Sequence, residues 1–181
     1  MNKLILLFAI LIVTLKTNSQ EISQIKLNCD KKQSSISYSM SHPLHSWTGI
    51  CKDLKSVILT DANRTIINHV DVVIKISSFD SKDVNRDFKV IKLTEANIYP
   101  DVSFSSNSIT QVGDSLAVTG ILIFHGQSQT ISFVAHKNKI NNKLEVTGNF
   151  VVKMTQFNID PPKLMWVPTE DEIPIKFKVV Y

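Results

Sequence analysis

The chain has 181 residues, with 20 Lys and Arg against 16 Asp and Glu, and a formal net charge of +4. The basic residues are scattered between apolar positions and form no run, which argues against nucleic acid or an anionic surface as a partner. This length fits one domain with a core large enough to be stable, and two domains are not expected.

The first nineteen residues predict a secretory signal. Lys3 precedes the apolar run of residues 4–13, and the small polar residues 17–19 follow. A basic start, an apolar stretch and small residues before a cut are typical of a signal peptide. A membrane anchor is the alternative, but this run falls short of the roughly twenty residues that cross a bilayer. We therefore expect a periplasmic or secreted domain of residues 20–181, with no stable membrane span. Because the leader carries two lysines and no acidic residue, the mature net charge falls to +2.

Two cysteines, Cys29 and Cys51, lie beyond the leader. In an oxidising compartment the pair is free to close, and such a loop would stabilise the fold by about 3 kcal/mol. However, pairing of the first two predicted strands about a turn near His45 would leave the cysteines out of register, too far apart for a bond. A structural disulfide and two separate thiols both stay open. No local motif supports a catalytic thiol.

Eight segments alternate apolar and polar residues with the period of two that indicates strands. In chain order they lie at about 34–40, 57–59, 70–76, 102–104, 116–124, 131–135, 144–154 and 173–181, and the stretch SHPLHSWTG after the first is interpreted as a connection. In the last segment Pro174 cannot donate to a ladder, which favours a strand start or a sheet edge.

One short helix interrupts this series. Val84, Phe88 and Ile91 recur at helical spacing behind Asp80 and Ser81, which are favoured N-cap types. The pattern predicts that these three apolar residues form the buried face of the helix.

Each predicted strand has one apolar face, so the sheet should be antiparallel. Eight such strands bury that face either in a two-sheet sandwich or in a closed barrel. An eight-stranded barrel is just filled by its own side chains or just holds one small ligand. The hairpin LAVTGILIFHGQSQTISFVA at 116–135 fits both a filled and a hollow barrel. Its alternation shows which side chains avoid water, but it does not show whether they fill the interior.

Five stretches together resemble the YceI-like family of exported lipid-binding or polyisoprenoid-binding proteins. They are HPLHSWTG at 42–49, SSFDSKDVNRDF at 77–88, YPDVSFSS at 99–106, VTGILIFHGQSQTISF at 118–133 and VKMTQFNIDPPKLM at 152–165. The resemblance implies an all-β, eight-stranded antiparallel lipocalin-like barrel with one short helix. It further implies an elongated apolar ligand, such as an isoprenoid, a quinone or a similar lipid, held for carriage or storage. We expect no required cofactor and no catalysis, and the oligomeric state stays open between monomer and homodimer.

Two departures from the family pattern concern the mouth of such a barrel. After NRD, many relatives continue with a small residue, His and Met, where this chain has Phe88, Lys89 and Val90. Trp166 stands where a glycine is usual after LM, and its bulk would narrow the opening or shorten the cavity.

The inward positions of the predicted strands are the candidate ligand-binding residues. They are Tyr38, Met40, Val72, Ile74, Phe104, Leu122, Phe124, Phe133, Phe150, Val152, Ile175 and Phe177. Alternation alone favours an ordinary packed core for these residues, in which case the chain would be a structural or interaction domain. The family resemblance favours a cavity lining.

Other polar groupings point to chemistry less strongly. His42 and His45 are the only pair with metal-ligand character, but a third ligand is missing nearby, and backbone hydrogen bonding at a turn explains them as well. The sequence HGQS at 125–128 serves a chain reversal better than catalysis, which needs a nucleophile, a base and an orienting group. Asp83, Arg86 and Asp87 fit a helix-end charge cluster, with a ligand head group as the alternative partner of Arg86.

Overall fold

The computed structural model describes residues 24–181, so the predicted signal peptide at 1–19 lies outside the described residues. Within these described residues the fold has thirteen strands and one α-helix. The strands are β1 (Gln24–Asn28), β2 (Ser35–His42), β3 (His45–Cys51), β4 (Lys55–Asp61), β5 (Ile67–Lys75), β6 (Phe79–Asp80), β7 (Asp101–Val112), β8 (Ser115–Phe124), β9 (Gln127–Ile140), β10 (Lys143–Lys153), β11 (Lys163–Leu164), β12 (Val167–Pro168) and β13 (Glu172–Val180). The helix is α1 (Val84–Leu93), and short 3-10 turns cover Ile76–Ser78 and Met154–Phe157.

Eleven of the strands form one antiparallel sheet in the order β1-β4-β5-β7-β8-β9-β10-β13-β2-β3-β6. The all-β class and the single helix are confirmed, whereas the count of eight strands is wrong. The strands missed in this sheet are β1, β3 and β6. In β3 the inward positions include Gly49, which breaks the apolar alternation, and β6 is only two residues long. The small hairpin of β11 and β12 forms a second, separate sheet.

The sheet curls so that strands distant in its order share one core. Ile58 of β4, Leu116 of β8 and Leu144 of β10 belong to the same buried cluster, against which Phe177 of β13 packs. Because these side chains come from strands separated around the sheet, their inward faces must meet across a barrel-like interior. Burial of this shared apolar surface is what favours the curl over a flat sheet.

The last strand is central to the sheet. β13 lies between β10 and β2, so of the two positions that Pro174 favours, the sheet edge is wrong and the start of a strand is the one observed. Pro174 occupies the third position of the strand, ahead of the ladder to β2 that begins at Ile175. Its missing N–H therefore removes no bond from that ladder.

Helix α1 turns a different face inward than the sequence predicts. Its N-cap is Asp83, whose side chain accepts from the Arg86 N–H, and not Asp80 or Ser81. Val84 and Phe88 are 85% and 66% exposed, while Val90 and Leu93 pack against the core. Within residues 24–181, helical segments do not reach the length and apolar character that a bilayer crossing demands.

Candidate ligand cavity

A large cavity of about 1010 Å³ lies between the curled sheet, helix α1 and the segment that follows the second 3-10 turn. Eight of the twelve candidate ligand-binding residues line it: Tyr38, Met40, Ile74, Leu122, Phe124, Phe150, Val152 and Ile175. The other four, Val72, Phe104, Phe133 and Phe177, line a void of about 100 Å³ deeper in the barrel, which Ile74 and Phe150 also line. The interior is thus hollow at one end and almost filled at the other.

A layer of phenylalanines separates the two ends. Phe133 stacks on Phe150 at 4.9 Å between ring centroids, and it meets Phe177 edge-on at 5.7 Å and Phe104 at 5.5 Å. Phe150 lines both voids. Of these four rings only Phe150 lines the large cavity, and with Ile36, Ile74 and Val102, which also line both voids, it forms the floor between the two spaces.

Polar residues of the cavity lining cluster on one side, which defines its mouth. They come from α1, including Arg86 and Lys89, and from the segment of Asp160 and Lys163. The guanidinium of Arg86 lies 5.3 Å from the centroid of the Trp47 ring and 3.5 Å from the Asp83 carboxylate. The helix-end charge cluster predicted from sequence is therefore present, and Arg86 also faces the cavity.

His42 joins the β2–β3 turn to strand β12 beside the cavity. His42 is buried; its Nδ1 accepts from the Leu44 N–H at 3.2 Å, and its Nε2 donates to the Val167 carbonyl at 3.2 Å. Backbone bonding, one of the two interpretations of this pair, is confirmed for His42. Among the described residues, no group of three or more His, Cys, Asp or Glu side chains is placed to hold a metal ion.

His125 occupies the β8–β9 turn, as the sequence predicts, and performs a second task that sequence reasoning missed. His125 and Gly126 both have positive φ, 50° and 70°, which makes a two-residue hairpin turn. The ring Nδ1 lies 2.8 Å from the Phe157 carbonyl oxygen, and Nε2 lies 2.9 Å from the Glu95 carboxylate. The hairpin tip is thereby joined to both the second 3-10 turn and the segment after α1.

Trp166 does not narrow the cavity. It lies at the tip of the β11–β12 hairpin, where Met165 and Trp166 both have positive φ, and its side chain is 94% exposed. The tight two-residue turn directs the indole away from the barrel, which sequence spacing gave no means of foreseeing.

The two cysteines are near the same buried cluster but unbonded in this structure. The Cys29 thiol donates to the Leu54 carbonyl at 3.6 Å, and Cys51 Sγ lies 3.1 Å from Ser78 Oγ. The Cys29–Cys51 disulfide stays a prediction for the exported chain. The mass of the alkylated, non-reduced protein distinguishes a bonded pair from two thiols.

These features define a class of protein: a curled antiparallel barrel whose apolar cavity is open at one end and sealed by aromatic rings at the other. The YceI-like domain family model matches residues 27–181, and the chain belongs to the YceI-like family. The protein YceI of Salmonella newport is 25% identical over 138 residues, which cover 75% of this chain and 72% of that protein.

Solved structures show the same fold. BcnA of Burkholderia cenocepacia superposes with a TM-score of 0.75 at 22% identity, covering 84% of this chain and 99% of BcnA. A polyisoprenoid binding domain from Saccharophagus degradans gives 0.68 at 14% identity, covering 85% and 96% of the two chains. The YCEI protein of Campylobacter jejuni gives 0.63 at 24% identity, covering 74% and 82%.

Proposed function

We propose that the mature chain is an exported, periplasmic or secreted, binding protein that holds an elongated apolar lipid, an isoprenoid or quinone, for carriage or storage. The observation that carries this proposal is the 1010 Å³ cavity with its largely apolar wall. Ligand sites in proteins are concave, mostly apolar, and about 300–1,000 Å³ in volume. The Saccharophagus degradans neighbour, described as polyisoprenoid-binding, supports the choice of ligand class.

The driving force for such binding is removal of apolar surface from water. A guest that buries ~400 Å² gains about 10 kcal/mol at ~25 cal/mol per Å². Much of this gain offsets the lost freedom of the guest. The remainder favours retention of the guest in the cavity.

The rival proposal, a structural domain with a filled core, is favoured only at one end of the barrel. The filled end contains Leu116, Val118 and Ala135, and it is the expected packed interior of a small barrel. A purely structural domain gives no reason for the hollow end, because an empty space of this size loses packing contacts that would stabilise the fold.

Extraction of the purified protein with organic solvent, followed by mass spectrometry, tests the proposal. Val152 lines the cavity and is buried, whereas its neighbour Val151 faces outward and is 53% exposed. We expect a stoichiometric apolar lipid from the wild type and from Val151→Trp, and much less from Val152→Trp, in which the indole fills the cavity. Lipid-free wild-type protein that also takes up no quinone analogue would refute binding. Cell fractionation tests export separately.

A further inference from the structure

Large apolar side chains project into solvent from the β11–β12 hairpin, beside the mouth of the cavity. Met165 and Trp166 are 77% and 94% exposed, and Val167 is 43% exposed. The hairpin begins at Lys163, which lines the cavity. Single exposed apolar residues are common on protein surfaces, whereas a contiguous group marks a contact surface.

The backbone of this hairpin gives a second sign that the exposure has a use. Leu164 pairs with Val167, so Met165 and Trp166 are the two central residues of the turn, and their φ angles are 51° and 69°. Such turns favour Gly, Asn and Asp, because positive φ is unfavourable for bulkier side chains. Two bulky apolar residues in these positions do not help the hairpin to fold, which points to a role in contact with another surface.

The β2–β3 turn extends the apolar surface of the hairpin. Leu44 is 67% exposed. The ring of His42 lies between the two turns, since its Nδ1 is 3.2 Å from the Leu44 nitrogen and its Nε2 is 3.2 Å from the Val167 carbonyl oxygen. Leu44, Met165, Trp166 and Val167 thus lie together, and we call these four residues the mouth patch.

Helix α1 adds a second apolar group at the mouth. Val84 and Phe88 are one helical turn apart and are 85% and 66% exposed. The adjacent residues Asn85 and Lys89 line the cavity. The helix therefore turns its polar side chains toward the opening and presents two apolar side chains to solvent.

The charges near these apolar groups largely offset one another. Residues 80–93 carry four basic and three acidic side chains. Lys82 pairs with Asp80 at 2.5 Å, and Arg86 pairs with Asp83 at 3.5 Å. The mouth patch itself contains no charged residue. This distribution favours a surface without strong net charge, such as a zwitterionic lipid bilayer, over an anionic partner.

The shape of the patch also fits a lipid surface. An indole that is 94% exposed protrudes from the domain. A protein partner needs a matching pocket to receive it, whereas fluid lipid closes around any protruding side chain. Tryptophan suits the head-group level of a bilayer because its ring is apolar and its N–H is polar. An apolar ligand is also stored in bilayers, since water dissolves it poorly.

We propose that the mouth patch, together with Val84 and Phe88, docks on the surface of a zwitterionic lipid bilayer. This contact sets the cavity mouth against the membrane, so that an apolar ligand passes between bilayer and barrel without crossing water. The inference rests on the proposed function and goes beyond it by assigning the surface with which the ligand is exchanged.

Flotation of delipidated protein with phosphatidylcholine vesicles tests the docking. Wild-type protein should float with the vesicles, and added phosphatidylglycerol should change binding little. Each side chain that leaves water should strengthen binding by about tenfold or more. The double variant Met165→Ser/Trp166→Ser and the single variant Phe88→Ser should therefore bind more weakly by such factors.

Val112→Ser is the matched control, because it removes an exposed apolar residue from a different hairpin. Val112 is 76% exposed in the β7–β8 hairpin, near Leu116 of the filled end. This variant should float like the wild type. Uptake of a quinone analogue from solution should be the same in all variants, since Phe88, Met165 and Trp166 do not line the cavity. Unchanged uptake also shows that the variants are folded.

Each outcome separates docking from ligand binding. Wild-type protein that takes up the analogue but does not float would overturn the docking and leave the proposed function intact, as would equal flotation of the double variant. Flotation only with phosphatidylglycerol would also overturn it, because charge would then drive the contact. A dimer that the double variant loses, without flotation, would assign the patch to a second copy of the chain. Flotation without uptake of any analogue would refute the proposed function while the docking surface stands.

Discussion

Truncation of Phe150 to alanine should weaken the floor of the cavity and lengthen the space available to a ligand. Phe150 stacks on Phe133 at 4.9 Å and lines both the 1010 Å³ cavity and the 100 Å³ void. Phe-to-Ala changes in cores cost about 3–5 kcal/mol. We expect the lower end, about 3 kcal/mol, since one face of the ring already borders empty space and has fewer contacts to lose. The missing ring also joins the two voids, so longer isoprenoids should bind better.

Urea unfolding of delipidated protein measures the first effect, and a series of isoprenoid alcohols of increasing length measures the second. Val151→Ala is the control: its side chain lies on the outer face of the same strand, 53% exposed, and its truncation should change stability by about 0.5 kcal/mol or less. If Phe150→Ala matches this control in stability and keeps the wild-type preference for chain length, the phenylalanine layer is not the floor of the site.

Three further changes test other parts of the structure. Trp166→Ser should leave the free energy of unfolding within about 0.5 kcal/mol of wild type in urea titration, because the indole is 94% exposed; a larger loss would mean that the indole packs. Gly49→Ala should lower that free energy by about 1–3 kcal/mol, since the new Cβ would lie 2.3 Å from the Tyr38 ring; an unchanged urea midpoint would contradict the close approach. Donation by the Ile66 N–H, above all, holds the pKa of Asp61 well below its usual range, so Asp61 stabilises the fold above the unfolded-state pKa of about 3.9 and loses this effect as pH falls. Asp61→Asn should lower the melting temperature at neutral pH and reduce its dependence on pH in acid, and identical melting profiles from pH 7 downwards would refute this.

The sequence predicted the frame of the fold because alternation is a direct record of which side of a strand meets water. Leu122 of β8, Val152 of β10 and Ile175 of β13 point into the barrel, as the alternation predicts. Short strands escaped detection, since two residues carry no period, and β3 was hidden by Gly49. The helix face was wrong because Val84 and Phe88 satisfy helical spacing yet point to solvent. Spacing identifies an apolar stripe, but tertiary contacts decide whether that stripe is the buried one.

Many residues of the cavity lining were predictable from the sequence, but the division of the interior into a large cavity and a small void was not. Eight of the twelve candidate residues surround the large cavity, and four lie deeper, around the small void. Trp47 also lines the cavity, but it was not among the candidates, because it stood in a segment interpreted as a connection.

The difference between the hollow and filled ends of the barrel arises from side-chain size and from the position of α1. The same strands run through both ends, so hydrophobicity alone cannot create the contrast. Phe104, Phe133, Phe150 and Phe177 converge at one level and use up the width of the barrel there. Above that level the inward residues include Leu122 and Val152 beside the larger Tyr38 and Phe124, and together they leave the width of the barrel unfilled. Helix α1 covers this end and packs Val90 and Leu93 against the core, but these two side chains leave most of the space beneath the helix open. A ligand restores the contacts that the short side chains leave unmade, which is the physical reason to expect that this end of the barrel evolved to be occupied.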